Sequence, residues 1–337
     1  MWKYMKHDKK FWISISFLVV LVLLSIGNTL WNDGHIRQVS LQYDAQGNPE
    51  AAPFPPSWQF LLGTDRKGFD LLHLVIEGAK WTIGISFFIA LVRLILGVCI
   101  GILLGTYVKR GFAKIEAFFD SFTVIPTVMI VYFLLQTSIK FANGEPTSTF
   151  FERASFEIIL LVVLALPTIA LYVANEVRKL QREEFIDAAR ILGGSKRHIV
   201  VKHIFPHLYM TFALVFMQQF IQTLIIFLHL GLLEVFFGGS VVFGGNIMME
   251  IDSYTHEWSG LIGMYFRSLT VHPWIPLVPI TFFGLTIFSG NMIVRSIEDA
   301  MRKVRVGGSE KKEEVDEKQL QSISQSKEDL FTFKHTM

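Results

Sequence analysis

The chain has 337 residues, 51% hydrophobic and only 18% charged, with a mean hydropathy of +0.44. A soluble globular chain is nearer a quarter charged, so this composition excludes an ordinary soluble enzyme and points to the bilayer. The formal charge of +2 gives no argument for nucleic acid as a partner, and the single cysteine, Cys99, excludes an intrachain disulfide and a cysteine-based metal cluster.

Residues 1–10 carry Lys3, Lys6, Lys9 and Lys10, and an apolar run follows over 11–30. The run is long for a signal peptide and ends on Trp31, which reads as an interface anchor. The expectation is a retained first span, 11–31, with a cytoplasmic N-tail, 1–10. The next residues are polar and include Pro49, Pro53, Pro55 and Pro56, as in an external loop. Thr64 or Asp65 is then placed to cap a helix beginning near Lys67. Asp70, His73 and Glu77 interrupt its apolar side, which predicts an interfacial helix within an external segment, 32–78.

Further spans are expected at 82–108, at 115–139 with a kink or break near Pro126, and at 156–175 with Pro167 inside. Two more are expected at 208–237 and 273–297, and the glycine-rich stretch 236–246 reads as flexible. An external turn is expected around Asn143, Gly144 and Pro146. Residues 301–337 are charged and poor in apolar surface, which predicts a mostly disordered cytoplasmic tail with one candidate docking motif, Phe331-Thr332-Phe333. Lys and Arg crowd the N-tail, 109–114, 178–202 and the segment after Arg295. The external segments hold few, among them Arg37, Arg66, Lys67, Arg153 and Arg267. That asymmetry puts both termini inside. The predicted fold class is all-α: a polytopic membrane protein of six transmembrane helices. Its five-helix core, 79–300, includes a cytoplasmic loop at 177–207.

The most informative stretch is 183–207, a basic island between two apolar runs. Ala188 and Ala189 give a helix a small, smooth face that can enter a groove on a partner. Gly193 with Gly194 can end that helix through a left-handed turn. Pro206 is tolerated in a helix's first turn and sets where the next span starts. The plain alternative is an ordinary polar loop.

The spacing Asp187-Ala188-Ala189, Gly193, Ile204-Phe205-Pro206 resembles the Glu-Ala-Ala … Gly … Ile-x-Leu-Pro signature of permease subunits in bacterial ABC importers. Asp187 stands for the usual Glu and Phe205 for the usual Leu. Leu62-Gly63-Thr64-Asp65 with Gly68-Phe69-Asp70 is similar to a Leu-Gly-Thr-Asp-x-x-Gly-Arg-Asp segment of the oligopeptide, dipeptide and nickel branch, Phe69 replacing Arg. His272-Pro273-Trp274, with Arg295 and Asp299, resembles elements around that branch's last span. The resemblance implies a type I ABC importer permease fold, a bacterial inner-membrane location and half of a translocation path for peptides. It implies a coupling helix using Glu184, Asp187, Ala188, Ala189, Gly193 and Pro206. It also implies partners: a second, homologous permease forming a heterodimer, two cytoplasmic ATPase subunits, an external substrate-binding protein and membrane lipid. ATP and Mg would be used by the ATPases, with no cofactor held by this chain. Phe288 replaces the family's Asn, and residues 227–240 depart from its Phe-Leu-Gly-Leu-Gly pattern. These departures keep two alternatives open, a nickel or metal-chelate importer permease and a permease-derived interaction or signalling protein without transport.

No Gly-x-x-x-x-Gly-Lys-Ser/Thr phosphate loop occurs in the chain, so it is not expected to be an enzyme that hydrolyses ATP itself. Charge at membrane depth is costly and marks functional candidates. Arg93, mid-span, is expected to pair with Glu234, either as a helix-stabilising ion pair or along the translocation path. Gln218 and Gln222, at i, i+4, and His229 beyond them either line that path or bind helices together. Lys80 is close enough to a span end to snorkel, and Asn175 and Glu176 are weak gate candidates. His203 and His207 share i, i+4 spacing, but Pro206 between them argues against metal binding.

Overall fold

The computed structural model describes residues 2–43, 47–108, 110–122, 125–142, 148–243 and 250–333. Among them, five helices are long and apolar enough to cross a membrane, and a shorter apolar helix, Thr127–Ser138, supplies most of a sixth. The expected turn at Asn143, Gly144 and Pro146, and residues 244–246 of the glycine-rich stretch, lie outside the described residues.

After a single turn, α1 (Trp2–Met5), the carboxylate of Asp8 accepts from the Lys10 amide and opens α2 (Lys9–Asn32). Asp33, at φ 50°, closes it in a left-handed cap. A loop containing a small hairpin, β1 (Leu41–Tyr43) with β2 (Pro49–Ala51), leads to α3 (Leu71–Ala79). The structure corrects the sequence reading here. The cap is Asp70, accepting from Leu72 and His73, and α3 does not lie on a surface. It runs through a π turn, Lys80–Ile85, into α4 (Ser86–Tyr107). Its Leu71, Leu74 and Val75 are core residues, because Ile36, Leu62 and Phe69 of the preceding segment, α2 and a short helix described below pack around it. The π turn has a visible cause: the Ser25 hydroxyl donates to the Glu77 carbonyl at 2.8 Å and accepts from the Lys80 amide at 3.2 Å. A side chain thus enters the ladder from α2. Lys80 does not snorkel; it pairs with Glu77 and donates to Thr29 at 2.5 Å.

The third span is two helices, α5 (Phe112–Phe122) and α6 (Thr127–Ile139), divided at the proline as expected. A strand, β3 (Lys140–Ala142), follows. Thr149 and Glu152 then form a reciprocal capping box opening α7 (Phe150–Leu180). Beyond it lie α8 (Glu184–Ile191) and α9 (Lys196–Ile199). A second π turn, Val200–Ile204, joins α9 to α10 (Phe205–Leu232), making one apolar helix, Lys196–Leu232. Pro206 therefore does not start this span. Ser195 caps it eleven residues earlier, and the π turn absorbs the missing N–H and the ring. Strands β4 (Ser240–Phe243) and β5 (Glu250–Ser253) pair antiparallel, and β4 pairs parallel with β3. The described glycine-rich residues 236–240 are buried rather than loose. Helix α11 (Trp258–Tyr265) and the last helix, α12 (Trp274–Phe333), complete the fold. The tail is helical to Phe333 where disorder was expected. Its many Glu, Lys and Gln residues are good helix formers.

The most extensive helix contact is α4 on α7. Gly97, Gly101 and Gly105 lie at i, i+4, i+8 on α4. A Cβ at Gly101 would sit 2.6 Å from Val173 Cβ and 2.7 Å from the Ala170 carbonyl oxygen. Backbones this close need small residues, the usual device where lipid offers no hydrophobic drive between helices. At the end of the bundle carrying the strands, Trp258 anchors α11. Its amide donates to Thr82 Oγ1 at 2.9 Å, and its indole donates to the Val75 carbonyl at 2.8 Å.

Candidate functional site

The opposite end of the bundle presents the basic island as a built element. Helix α8 buries one residue fully, Ile186, which joins Val177, Ile199, Ile204 and Leu208 in a core cluster. Phe185 stacks on the His207 ring with centroids 4.8 Å apart, which ties α8 to α10. Helix α8 is thus fixed to the ends of two long helices rather than hanging from a free loop.

Its end is a Schellman motif. The Gly193 amide donates to the Arg190 carbonyl and the Gly194 amide to the Ala189 carbonyl, each at 3.0 Å. Gly193 takes φ +84°, which side-chain-bearing residues rarely adopt. Asp187 pairs with Arg190 at 2.7 Å along the exposed side. Glu184, Asp187 and Ala188 are exposed, and Ala189 is half-buried. Two residues that sequence reasoning passed over dominate the surface: Ile191 and Leu192 are 86% and 88% exposed. Their signal was available, since adjacent apolar residues directly before a Gly-Gly stop cannot turn back into the core. Next to them, α8 offers a small apolar face ringed by charge.

The intramembrane candidates separate into two groups. Arg93 is fully buried and does not meet Glu234, which pairs with Arg267 at 3.3 Å instead. The Arg93 guanidinium donates to the Leu161 carbonyl at 3.0 and 2.6 Å, to Thr223 Oγ1 at 3.0 Å and to Gln219 Oε1 at 3.4 Å. It joins α4, α7 and α10 as a clamp. The glutamine that reaches it is Gln219. Gln218, Gln222 and His229 lie with Ile225 on the exposed side of α10. His229 Nδ1 is 2.6 Å from the Ile225 carbonyl oxygen. Asn175 donates to Glu116 at 2.8 Å, and Glu176 pairs with Lys179 at 3.3 Å. His207 Nδ1 lies 2.5 Å from the His203 carbonyl oxygen, so that pair does not converge on a shared ligand.

At the strand end, the Leu-Gly-Thr-Asp segment folds into the core. Asp65 accepts from the amides of Lys67 and Phe69 at 2.9 and 2.7 Å, and from the Tyr265 hydroxyl at 2.8 Å. Burial pushes its carboxyl above the ordinary aspartate value despite those donors. Nearby, Glu257 is 3% exposed and accepts from the Phe237 amide and from Ser253, Thr255 and Ser259. Burial raises its carboxyl to about 7. These acids hold the loops over the helix ends rather than facing open space.

Against known proteins, residues 97–303, more than half of the chain, match the family model described as "Binding-protein-dependent transport system inner membrane component". The chain belongs to that family. A putative peptide transport system permease protein of Brucella abortus is 28% identical over 203 residues, covering 60% of this chain and 61% of the relative. The chain thus spans about three fifths of the length of that relative. The dipeptide transport system permease protein DppC of Alkalihalophilus pseudofirmus is 24% identical, covering 76% of each chain. The oligopeptide transport system permease protein OppC of Bacillus subtilis is 22% identical, covering 88% and 86%. Among solved structures, the inward-facing MetNI methionine ABC transporter aligns with a TM-score of 0.47 at 18% identity, covering 67% of this chain and 97% of the other. The family match and the apolar helices make this permease a multi-pass inner-membrane protein of the ABC importer class, and the relatives above are named as permease proteins. The family match takes in both the glycine stripe of α4 and the whole of α8.

Proposed function

We propose that this permease forms half of the translocation path of an ATP-driven peptide importer and that α8 is where separate ATPase subunits push. The observation that carries the reading is the build of α8: a short helix anchored by Ile186 and Phe185, with Ala188, Ile191 and Leu192 left bare. An anchored helix transmits force as a rigid body, whereas a free loop would absorb it. The exposed apolar pair fits a groove on a partner that this chain lacks. Residues 109–114 and 178–202 are rich in Lys and Arg, which supports a cytoplasmic side for this end. ATP binding in the partner would bias a two-state bundle between outward- and inward-open forms. The peptide-transport names of the relatives support peptides as the cargo, delivered by an external binding protein. The side of α10 bearing Gln218, Gln222, Ile225 and His229 is assigned to the path or to a second permease subunit of the same family.

The test is uptake of labelled di- and oligopeptides in a deletion strain carrying either the wild-type chain or the variant Leu192→Asp. Wild type should restore uptake, and Leu192→Asp should abolish it while the protein still reaches the membrane. Full uptake with Leu192→Asp would reject α8 as the coupling element. No peptide uptake with wild type would reject the cargo.

A further inference from the structure

Where α7 runs into α8, a cleft of about 580 Å³ opens between the start of α5 and the last turns of α7. Phe112, Ala113 and Glu116 form one wall, and Arg178, Lys179 and Arg182 the other. The carboxylates here are already engaged: Glu116 accepts from Asn175, and Glu176 pairs with Lys179. The two arginines are not. Among the described residues, no carboxylate lies within 4.0 Å of Arg178 or Arg182. Arg178 is half-buried, with its guanidinium 4.0 Å from the centre of the buried Phe112 ring. The ring holds the guanidinium in place by a cation–π contact and leaves its N–H groups for a planar or tetrahedral oxyanion. Arg182 stands one turn further on, at i+4. The first turn of α5, from Phe112 and Ala113, forms part of the facing wall.

The geometry points to a site for the phosphate of an anionic phospholipid headgroup. A free phosphate compound offers the same oxyanion, but the surroundings favour lipid. Arg178 belongs to the last turn of a membrane-length helix, and Arg182 lies just past it. The cleft continues toward the bilayer as a second hollow of about 190 Å³ that shares Glu116 and Asn175 and is walled by Phe119, Leu171 and Tyr172. Arg182 is two residues from the start of α8, so an occupied cleft would brace the hinge between α7 and the coupling helix. The choice of leaflet, though not the site, rests on the cytoplasmic placing of this end proposed above.

The experiment uses the assembled transporter in nanodiscs of phosphatidylcholine, with or without phosphatidylglycerol, and counts retained lipids by native mass spectrometry. Wild type should retain phosphatidylglycerol selectively, and inorganic phosphate should not displace it. Arg178→Gln with Arg182→Gln should weaken retention about 30-fold, as expected for two basic contacts. Arg178→Lys with Arg182→Lys should recover part of it. Phe112→Leu, which keeps both charges and removes only the aromatic ring, should weaken retention severalfold and guards against misassembly of the double glutamine variant. Equal retention of both lipids, displacement by inorganic phosphate, or protection of the arginines by another subunit would each overturn the proposal. Labelling of a Leu192→Cys variant from outside would overturn the cytoplasmic placing alone and leave the headgroup result standing.

Discussion

Arg93 shows how a single residue divides what sequence can and cannot show. Its presence in a span marked it as consequential, and it is fully buried. Its partners were illegible, because the main acceptor is a backbone carbonyl, that of Leu161, and carbonyls carry no sequence signal. The clamp account predicts that Thr223→Val destabilises the permease by about 1–3 kcal/mol, since it strands a buried charged donor. Thermal unfolding in detergent measures this, and an unchanged midpoint would contradict it. Gly193 is the complementary case, because the Gly-Gly signal was readable and the backbone takes φ +84°. Gly193→Val should cost about 1–2 kcal/mol at that left-handed position and tilt the end of α8. ATP turnover should then persist while peptide-dependent stimulation falls. Glu257 carries a pH signature. Its folded value, about 7, is raised above the ordinary glutamate value by burial. Its contribution to stability is therefore complete below the unfolded value and is lost as pH rises through about 7. The unfolding midpoint of wild type should fall between about pH 4.5 and 7 relative to Glu257→Gln and run level above that, and parallel profiles would remove Glu257 as the cause.

At the scale of elements, hydropathy located the spans well but misplaced their ends. Pro206 and the polar residues of α3 were read as boundaries, yet both helices continue through them by inserting π turns at Lys80–Ile85 and Val200–Ile204. The first insertion depends on Ser25, which is distant in sequence, so no local pattern announces it. The α4–α7 contact was legible and was missed: Gly97, Gly101 and Gly105 are a small-residue stripe at helical spacing. Gly101→Leu should separate the two backbones at a cost of about 1–3 kcal/mol or more. Reduced yield of folded protein and a lowered midpoint are expected, while Gly84→Leu, at an open position, should change neither. The anchoring of α8 was only half legible. The alanine pair suggested a docking face, but Ile186 underneath and Ile191 with Leu192 on top emerge only once the helix is placed.

For the whole molecule, the physical picture is a bundle held together by close backbone contact and the buried Arg93, with polar loops locked over one end. At the other end it carries a rigid, bare-faced helix. The most direct measurement is site-specific crosslinking from Leu192→Cys in a Cys99→Ala background, within the transporter purified from its native membrane. The account predicts a crosslink to an ATPase subunit whose yield changes with nucleotide, and no labelling of intact cells by a membrane-impermeant thiol reagent. Labelling from outside, or a cysteine that reaches no other chain in any nucleotide state, would contradict it.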